Sequence, residues 1–450
     1  FLVLDFKYYL LYHIGKYIFN TGYLIYQYIN EIKHIIQDSM KKINYRALTA
    51  SDKALEIIRR CFEDEKKGNR NARNDIKEDL KAYFIRTEDG SYTLNSNGVS
   101  GKSEMMHTYH GAVTESLEKF VKPAQLEGKK EVRIMDICSG LGYNAAACIE
   151  NLDDSVKIDI DMIEISKETL QATLLIENPI ESYEIIKGAI ESELFKRELV
   201  GFKFHQEKIN ERININIYID DARNVVKKIT DKRYDAVFLD PFSPLKSPEL
   251  YSLEFFIALK NLLKENGLIL TYTSAAPVRS AMVLAGLHIG EGPQFGRKSG
   301  GTIASKSSKM IQTQLSDADE RMIALSDAGI PFRDPELNGS GEKIIEGREN
   351  ERKSVRGNSK IASTVKTPVF LNEEVENSRL KRRILRNIEF MGIDDLKSPE
   401  ARFIICPQYE ECICKCGNSR LEDSKSRINE MIKRLSIIIE KCNDAERIIE

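Results

Sequence analysis

VRIMDICSGLGYNA, residues Val132–Ala145, changes pattern in its middle. Val132, Ile134 and Ile137 form a β-branched, apolar run that ends in Asp136-x-x-x-Gly140-x-Gly142, and a helical pattern begins at once. A strand, a tight glycine turn and a helix start therefore succeed one another. Glycines let a backbone approach a ligand, and a helix N-terminus offers unpaired N–H groups to an anion. By itself the pattern also fits a buried structural turn, so its meaning rests on the surrounding chain.

From Glu131 to about Ser305 strand and helix patterns alternate, which predicts a doubly wound α/β sheet. Lys157–Ile163 reads as a second strand ending at Glu164, and Ser166 as the cap of a helix reaching Leu175. Ile213, Ile215, Ile217 and Ile219 alternate with polar residues in a third strand that ends in Asp220-Asp221-Ala222-Arg223. Tyr234–Leu239 is mostly apolar, hence buried on both faces, and runs into Asp240-Pro241-Phe242-Ser243-Pro244. An amphipathic helix (Leu253–Leu263), a fifth strand (Leu268–Tyr272), a further helix (Ala276–Ala285) and closing strands from Leu287–Gly290 follow.

With 450 residues, two or three domains are expected. The patterns divide the chain into an N-terminal helical extension (1–44), a small α+β region (45–125), the alternating domain (126–310) and a mixed C-terminal extension (311–450). Within the second region, Ala47–Phe62 reads as a helix capped by Thr49 or Ser51, and Glu63–Lys81 as a solvated charged stretch. Tyr83–Leu94 reads as a hairpin around Asp89-Gly90. Glu104 and His107 stand one helical turn apart, and the favoured reading is a helix lying against the ligand pocket rather than a metal pair. Phe1–Asn30 is rich in Tyr, Ile and Leu, but Asp5, Lys7, His13 and Lys16 interrupt it, which argues against a membrane span. Met40 is an alternative start. The net charge of −2 means that any nucleic-acid partner must be held by a local basic patch. Eight cysteines without a regular framework, and no signal peptide, point to a reducing, cytoplasmic setting. None of this sets an oligomeric state.

In an open α/β sheet the ligand binds at the carboxyl ends of the strands, where this sequence places its acids. Glu164 stands where a carboxylate accepts from ribose hydroxyls, and Asp221 where one can accept from an adenine amino group. Asp136 braces the loop or meets a cationic amine. Such a pocket repels a pyrophosphate and suits a sulfonium with an amino group, so S-adenosylmethionine fits better than NAD. Asp240 ends the fourth strand beside that donor and is the candidate for chemistry. Methyl transfer needs a neutral nucleophile in line with the methyl group. A carboxylate can orient an amine or take its proton.

The run Asp235–Leu250 (DAVFLDPFSPLKSPEL), with TYTSAAPVRSAMVLAGL and FGRK farther on, resembles the methyltransferase domain of the MnmC type. Asn144 after Gly140-Leu141-Gly142 is similar too. In that family the domain converts 5-aminomethyl-2-thiouridine at the tRNA wobble position to its N-methylated form. The resemblance covers about Glu131–Ser305 and implies a Rossmann-like class I methyltransferase sheet. It implies Asp136, Ser139, Gly140, Gly142, Asn144, Glu164, Asp221 and Ala222 around the donor, and Asp240 as the catalytic carboxylate. Phe242 and the Phe295–Lys298 turn, with Arg297 and Lys298, fall on the substrate or tRNA side. Pro241 departs from the small residue expected in bacterial members. No second strand–glycine–helix fingerprint for a flavin-dependent oxidase follows downstream, as in an archaeal-style member. The rivals are a spermidine-synthase-like aminopropyltransferase and a tRNA-binding module with a vestigial donor site.

Two further features stand outside that domain. Arg348, Arg352, Lys353, Arg356 and Lys360, then Arg379, Lys381, Arg382, Arg383 and Arg386, are expected to neutralise tRNA phosphates. Ala401–Ile405 reads as a short strand leading into Cys406, Cys412, Cys414 and Cys416. These four could hold zinc or an iron–sulfur cluster, or pack as reduced cysteines.

Overall fold

The alternating patterns condense into a sheet with helices on both faces. The computed structural model describes residues 52–94, 110–205, 211–296, 300–417 and 420–449. Residues 47–450 form one compact unit and Phe1–Arg46 another. The readings placed on Phe1–Asn30, Met40, Thr49, Ser51, Glu104, His107, Arg297 and Lys298 lie outside the described residues.

Strands β1 (Phe84–Arg86) and β2 (Tyr92–Leu94) form the antiparallel hairpin expected around Asp89-Gly90. Then come β3 (Glu131–Ile137), β4 (Lys157–Ile163), β5 (Ile213–Tyr218), β6 (Tyr234–Leu239), β7 (Leu263–Thr271), β8 (His288–Glu291) and β9 (Thr302–Ser305). They make a seven-stranded sheet in the order β5-β4-β3-β6-β7-β9-β8. β3 to β7 are parallel, and β9 runs antiparallel to both β7 and β8. This is the Rossmann-like, doubly wound class. The strand order reverses between β3 and β6.

The helices are α1 (Asp52–Lys66), α2 (Tyr143–Asn151), α3 (Lys167–Thr173), α4 (Tyr183–Lys196), α5 (Ala222–Lys228), α6 (Leu253–Leu262) and α7 (Ala276–Leu284). Beyond the sheet lie α8 (Asp317–Leu325), α9 (Gly341–Val355), α10 (Ser378–Ile388), α11 (Pro399–Ile405) and α12 (Ser424–Ile449). Successive side chains of a strand point to opposite faces, and the core divides accordingly. Val132 and Ile134 of β3, with Ala236 and Phe238 of β6, pack under α1–α4. Met135, Ile137, Val237 and Leu239 pack against α5–α7 and the helices beyond. All six residues of β6 are buried, as its apolar run requires. No helix of the described residues is long and apolar enough to cross a membrane.

Three local readings are corrected. Ala401–Ile405 is helical, because Ser398 accepts from Ala401 N, Pro399 suits a first helical position, and Ala401, Ile404 and Ile405 share one buried face. Glu63–Lys81 is not simply solvated: Ala72, Ile76 and Leu80 are buried, and so is Glu65. Arg73 donates to Glu65 at 2.6 Å and to Glu191 of α4 at 2.5 Å, both carboxylates being fully buried. Removing one partner of a buried ion pair leaves uncompensated charge, so Arg73→Met is expected to cost about 3–5 kcal/mol. A lowered urea midpoint checks this; an unchanged one would show the pair to be neutral in energy.

The third correction concerns the first basic segment, most of whose side chains are tied to partners within the extension. Arg348 donates to the carbonyls of Ile330 (2.6 Å) and Ala328 (2.9 Å) and stacks over Phe332. Arg352 and Arg356 share the buried Asp327 carboxylate, and Lys360 donates to Ala324 O. These four are fastenings of the extension rather than a free surface, while Lys353 stands exposed.

Candidate active site

The crevice at a reversal of strand order is where an open sheet takes its ligand, here beyond the ends of β3 and β6. The glycine turn forms its floor. Cys138, Gly140 and Gly142 all have positive φ (59°, 54° and 84°), a conformation that costs Cys138 some strain. A Cβ at Gly142 would lie 2.7 Å from Ile186 Cγ2, so packing of α4 demands glycine there. A Cβ at Gly140 would meet only the Cys138 carbonyl, at 3.8 Å, and otherwise stand in open space. Tyr143 Oη accepts from Tyr92 N at 2.9 Å and donates to Tyr92 O at 2.7 Å, seating the β1–β2 hairpin on α2.

Three acids surround this turn. Glu164, just past β4, accepts from Gly140 N (3.1 Å) and Ser166 N (2.8 Å), and so holds the turn in register with α3. Burial raises its pKa against the pull of those N–H groups. A carboxylate has about four acceptor sites, so both oxygens can still take a hydroxyl. Asp136 is fully buried; one oxygen accepts from Asn144 Nδ2 at 3.2 Å. Its other oxygen has no hydrogen-bond partner, nor has the buried Ser139 Oγ. Burial pushes the Asp136 carboxyl up to about 8, with the charges of Asp240 and Glu164 adding to it and Asn144 opposing. Asn144 Nδ2 also lies 3.5 Å from Asp240 Oδ2, so one amide links the acids at the ends of β3 and β6.

Asp240 N donates to Ile137 O at 3.2 Å, and its side chain is partly exposed. Pro241 behind it is buried and Phe242 half-buried. Asp221 caps α5 by accepting from Arg223 N at 2.9 Å, and its carboxylate is gripped by the Arg223 guanidinium, at 2.8 Å from Nη2. Arg223 also donates to Asp334 and to Gly339 O, both at 2.8 Å, tying the C-terminal extension to the site. Ala222 is buried at the start of α5.

Beyond the end of β7, the strand next to β6, lies a shallow recess lined among others by Lys119, Thr271, Tyr272 and Phe295. Phe295 meets His110 edge-on with ring centroids 5.8 Å apart, and Lys119 pairs with Glu115 at 2.7 Å. The fully buried Arg279 donates to Gly301 O, Thr302 Oγ1, Glu291 and Asp319, which holds the β8–β9 turn over this recess. Sequence reasoning missed Arg279, Arg223 and Lys119. It also missed Ile165, 62% exposed next to Glu164, and Tyr251, whose buried hydroxyl lies among Thr271, Tyr272 and Asp240. An exposed Ile directly after a strand-end acid was the one available signal.

The fold and this pocket define a class I methyltransferase architecture. A family model for S-adenosyl-L-methionine-dependent methyltransferases matches residues 189–307. An uncharacterized protein of Methanocaldococcus jannaschii is 37% identical over 362 residues, spanning 79% of this chain and 95% of that protein. The tRNA 5-methylaminomethyl-2-thiouridine biosynthesis bifunctional protein MnmC of Leptospira interrogans is 28% identical over 156 residues, 35% of this chain but 23% of that protein. The solved structure of MNMC2 from Aquifex Aeolicus covers 72% of this chain and 99% of its own, at 25% identity and a TM-score of 0.49. The chain belongs to the MnmC-type family of S-adenosyl-L-methionine-dependent methyltransferases. The residues present fit that donor: two buried polar atoms without a protein partner, on Asp136 and Ser139, stand at the glycine turn with carboxylates beside them.

Proposed function

We propose that this methyltransferase N-methylates the 5-aminomethyl group of a wobble uridine, thiolated or not, in tRNA. The observation that carries the reading is the Asp136–Asn144–Asp240 link, which sets a carboxylate for the acceptor beside the acids for the donor. The MnmC relative's name adds the substrate class. Bound S-adenosyl-L-methionine supplies an electrophilic methyl group on a sulfonium. Asp136 and Ser139 hold its ammonium end, Glu164 its ribose hydroxyls, and Ile165 offers an apolar face to its adenine. Asp221, though paired with Arg223, keeps acceptor sites for the adenine amino group. Asp240 orients the substrate amine and takes the proton it must lose, so that a neutral nitrogen faces the methyl carbon.

The recess suits a nucleobase better than a polyamine. Among the described residues its lining holds Lys119 and the rings of Tyr272 and Phe295 and no carboxylate. A polycation would need acids there. Phe242 belongs to the same side on this reading.

The second basic segment supplies an RNA surface. Arg379, Arg382, Arg383 and Arg386 fall on one face of α10 and Ile384 and Ile388 on the buried opposite face; Lys381 is exposed but lies away from the arginines. Asn377 caps the helix by accepting from Arg379 N and Leu380 N. Among the described residues none of these five cations ion-pairs with a carboxylate, and Phe390 just beyond is 78% exposed, a platform on which a base can stack.

The test is methyl transfer from labelled donor to tRNA lacking the modification, followed by nucleoside analysis. Label on 5-aminomethyluridine supports the proposal. Aminopropyl transfer from the decarboxylated donor to a diamine, with no methyl label on tRNA, or donor binding without any transfer, would replace it by one of the two rivals. In the same assay Arg382→Glu with Arg386→Glu is expected to raise KM for tRNA about tenfold or more and to flatten its salt dependence, leaving donor affinity unchanged. An unchanged salt slope would remove α10 from the RNA surface.

A further inference from the structure

The four cysteines after α11 come together although their spacing is irregular. Cys406 is buried at the end of α11, while Cys412, Cys414 and Cys416 lie in the loop that leads toward α12. Alternate residues of a strand share a face but stand about 6.6 Å apart, too far for one ion. Here Lys415 adopts φ 66°, and the loop folds back on itself. Cys412 Sγ lies 3.8 Å from Cys406 Sγ, 3.9 Å from Cys414 Sγ and 3.7 Å from Cys416 Sγ. All four sulfurs fall within 4.8 Å of one another, and none is in a disulfide.

These distances match a single tetrahedral ion rather than a cluster. Zinc binds thiolate at about 2.3 Å in a tetrahedron, whose sulfur–sulfur edge is then about 3.8 Å. A cluster of several irons with bridging sulfides would spread its thiolates farther. Four protein ligands also close the coordination sphere, as in structural rather than catalytic zinc sites.

The surroundings answer the charge of such a site. Four thiolates and one divalent ion leave a net charge of minus two. Arg434 of α12, only 3% exposed, has Nη1 and Nη2 each 3.8 Å from Cys416 Sγ and Nη1 4.0 Å from Cys414 Sγ. Its Nε donates to Glu430 at 2.8 Å and Nη1 to Phe403 O at 2.9 Å, so the guanidinium is held facing the sulfurs. Gly417 N donates to Cys412 Sγ at 3.3 Å. Glu430 answers the charge at Nε, while Nη1 and Nη2 face the sulfurs, where neutral thiols are weak acceptors and metal-bound thiolates would be strong, charged ones.

We propose that Cys406, Cys412, Cys414 and Cys416 bind one zinc ion as a closed tetrathiolate clasp that fastens the 406–417 loop to α11 and, through Arg434, to α12. The ion takes no part in methyl transfer; it supplies folding energy to the C-terminal extension.

Full-length protein purified without chelator is expected to carry one zinc per chain by elemental analysis, with neither iron nor acid-labile sulfide. Cobalt(II) in its place gives the intense visible bands of a tetrahedral tetrathiolate. Cys412→Ser and Cys416→Ser lose the metal, Cys442→Ser keeps it, and chelation lowers the melting midpoint of the wild-type chain. Iron with sulfide, a metal-free chain, or disulfides among these cysteines would overturn the proposal. The metal content and cobalt spectrum of the wild type decide the matter even where a variant fails to fold.

Discussion

Asp240→Asn is expected to lower methyl transfer to tRNA by about 10²–10⁴-fold while the donor dissociation constant stays within about threefold. The asparagine keeps the size of the side chain and its place at the end of β6, and removes the negative charge together with the ability to accept a proton. The amine of the substrate is protonated near neutral pH, since an alkylammonium titrates near 10. In the variant that proton must leave to solvent before attack, so residual activity should climb with pH more steeply than in the wild type. Stopped single-turnover rates over a pH series, with donor affinity from calorimetry, check both statements. Equal rates for the two proteins would remove Asp240 from the chemistry. A large loss that pH does not relieve would make it an orienting group alone.

The second large effect belongs to Asp136. Its burial holds the carboxyl protonated to about pH 8 in the donor-free protein. A cationic donor favours the ionised form, so binding should strengthen as pH rises toward 8, by up to tenfold per unit, and level off above it. Binding below pH 8 should therefore release a proton, seen as a buffer-dependent heat. Asp136→Asn removes a charge-assisted hydrogen bond, expected to weaken donor binding about 10–100-fold and abolish this pH dependence. The effect on stability has the opposite sign. The folded-state pKa lies above the unfolded one, so the group's contribution to stability is whole at low pH and is lost as pH rises through 8. The asparagine variant without donor should then melt no lower than wild type at pH 9. A lower midpoint would show that Asp136 is held ionised by a partner in the turn, and the ammonium assignment would fall.

The positions of Asp136 and Asp240 illustrate what pattern reading can reach. One is the last but one residue of β3 and the other follows β6, and the carboxyl end of a parallel strand faces the ligand crevice. Glu164 followed from the same rule, with Ser166 capping α3 as its position required. The stretch Ala401–Ile405 reads as a strand because three of its five residues, Phe403, Ile404 and Ile405, are β-branched or aromatic, and these outweigh the helix-start signal of Ser398 and Pro399 in front of them. Arg348, Arg352 and Arg356 were read as a surface because a guanidinium's partners, here Asp327 and the carbonyls of Ala328 and Ile330, leave no periodic trace.

The doubly wound sheet, its strand ends, the acids near them and the donor they suit are legible in the chain's local patterns, because each depends on residues close together in sequence. The rest is set by packing between remote elements. Asn144 links Asp136 to Asp240, Arg223 ties Asp221 to Asp334, and Arg279 holds the turn over the recess. Four irregularly spaced cysteines converge on one point. These are contacts between elements remote in sequence, chosen by geometry and by the need of every buried polar or charged group for a partner, and no local pattern encodes them.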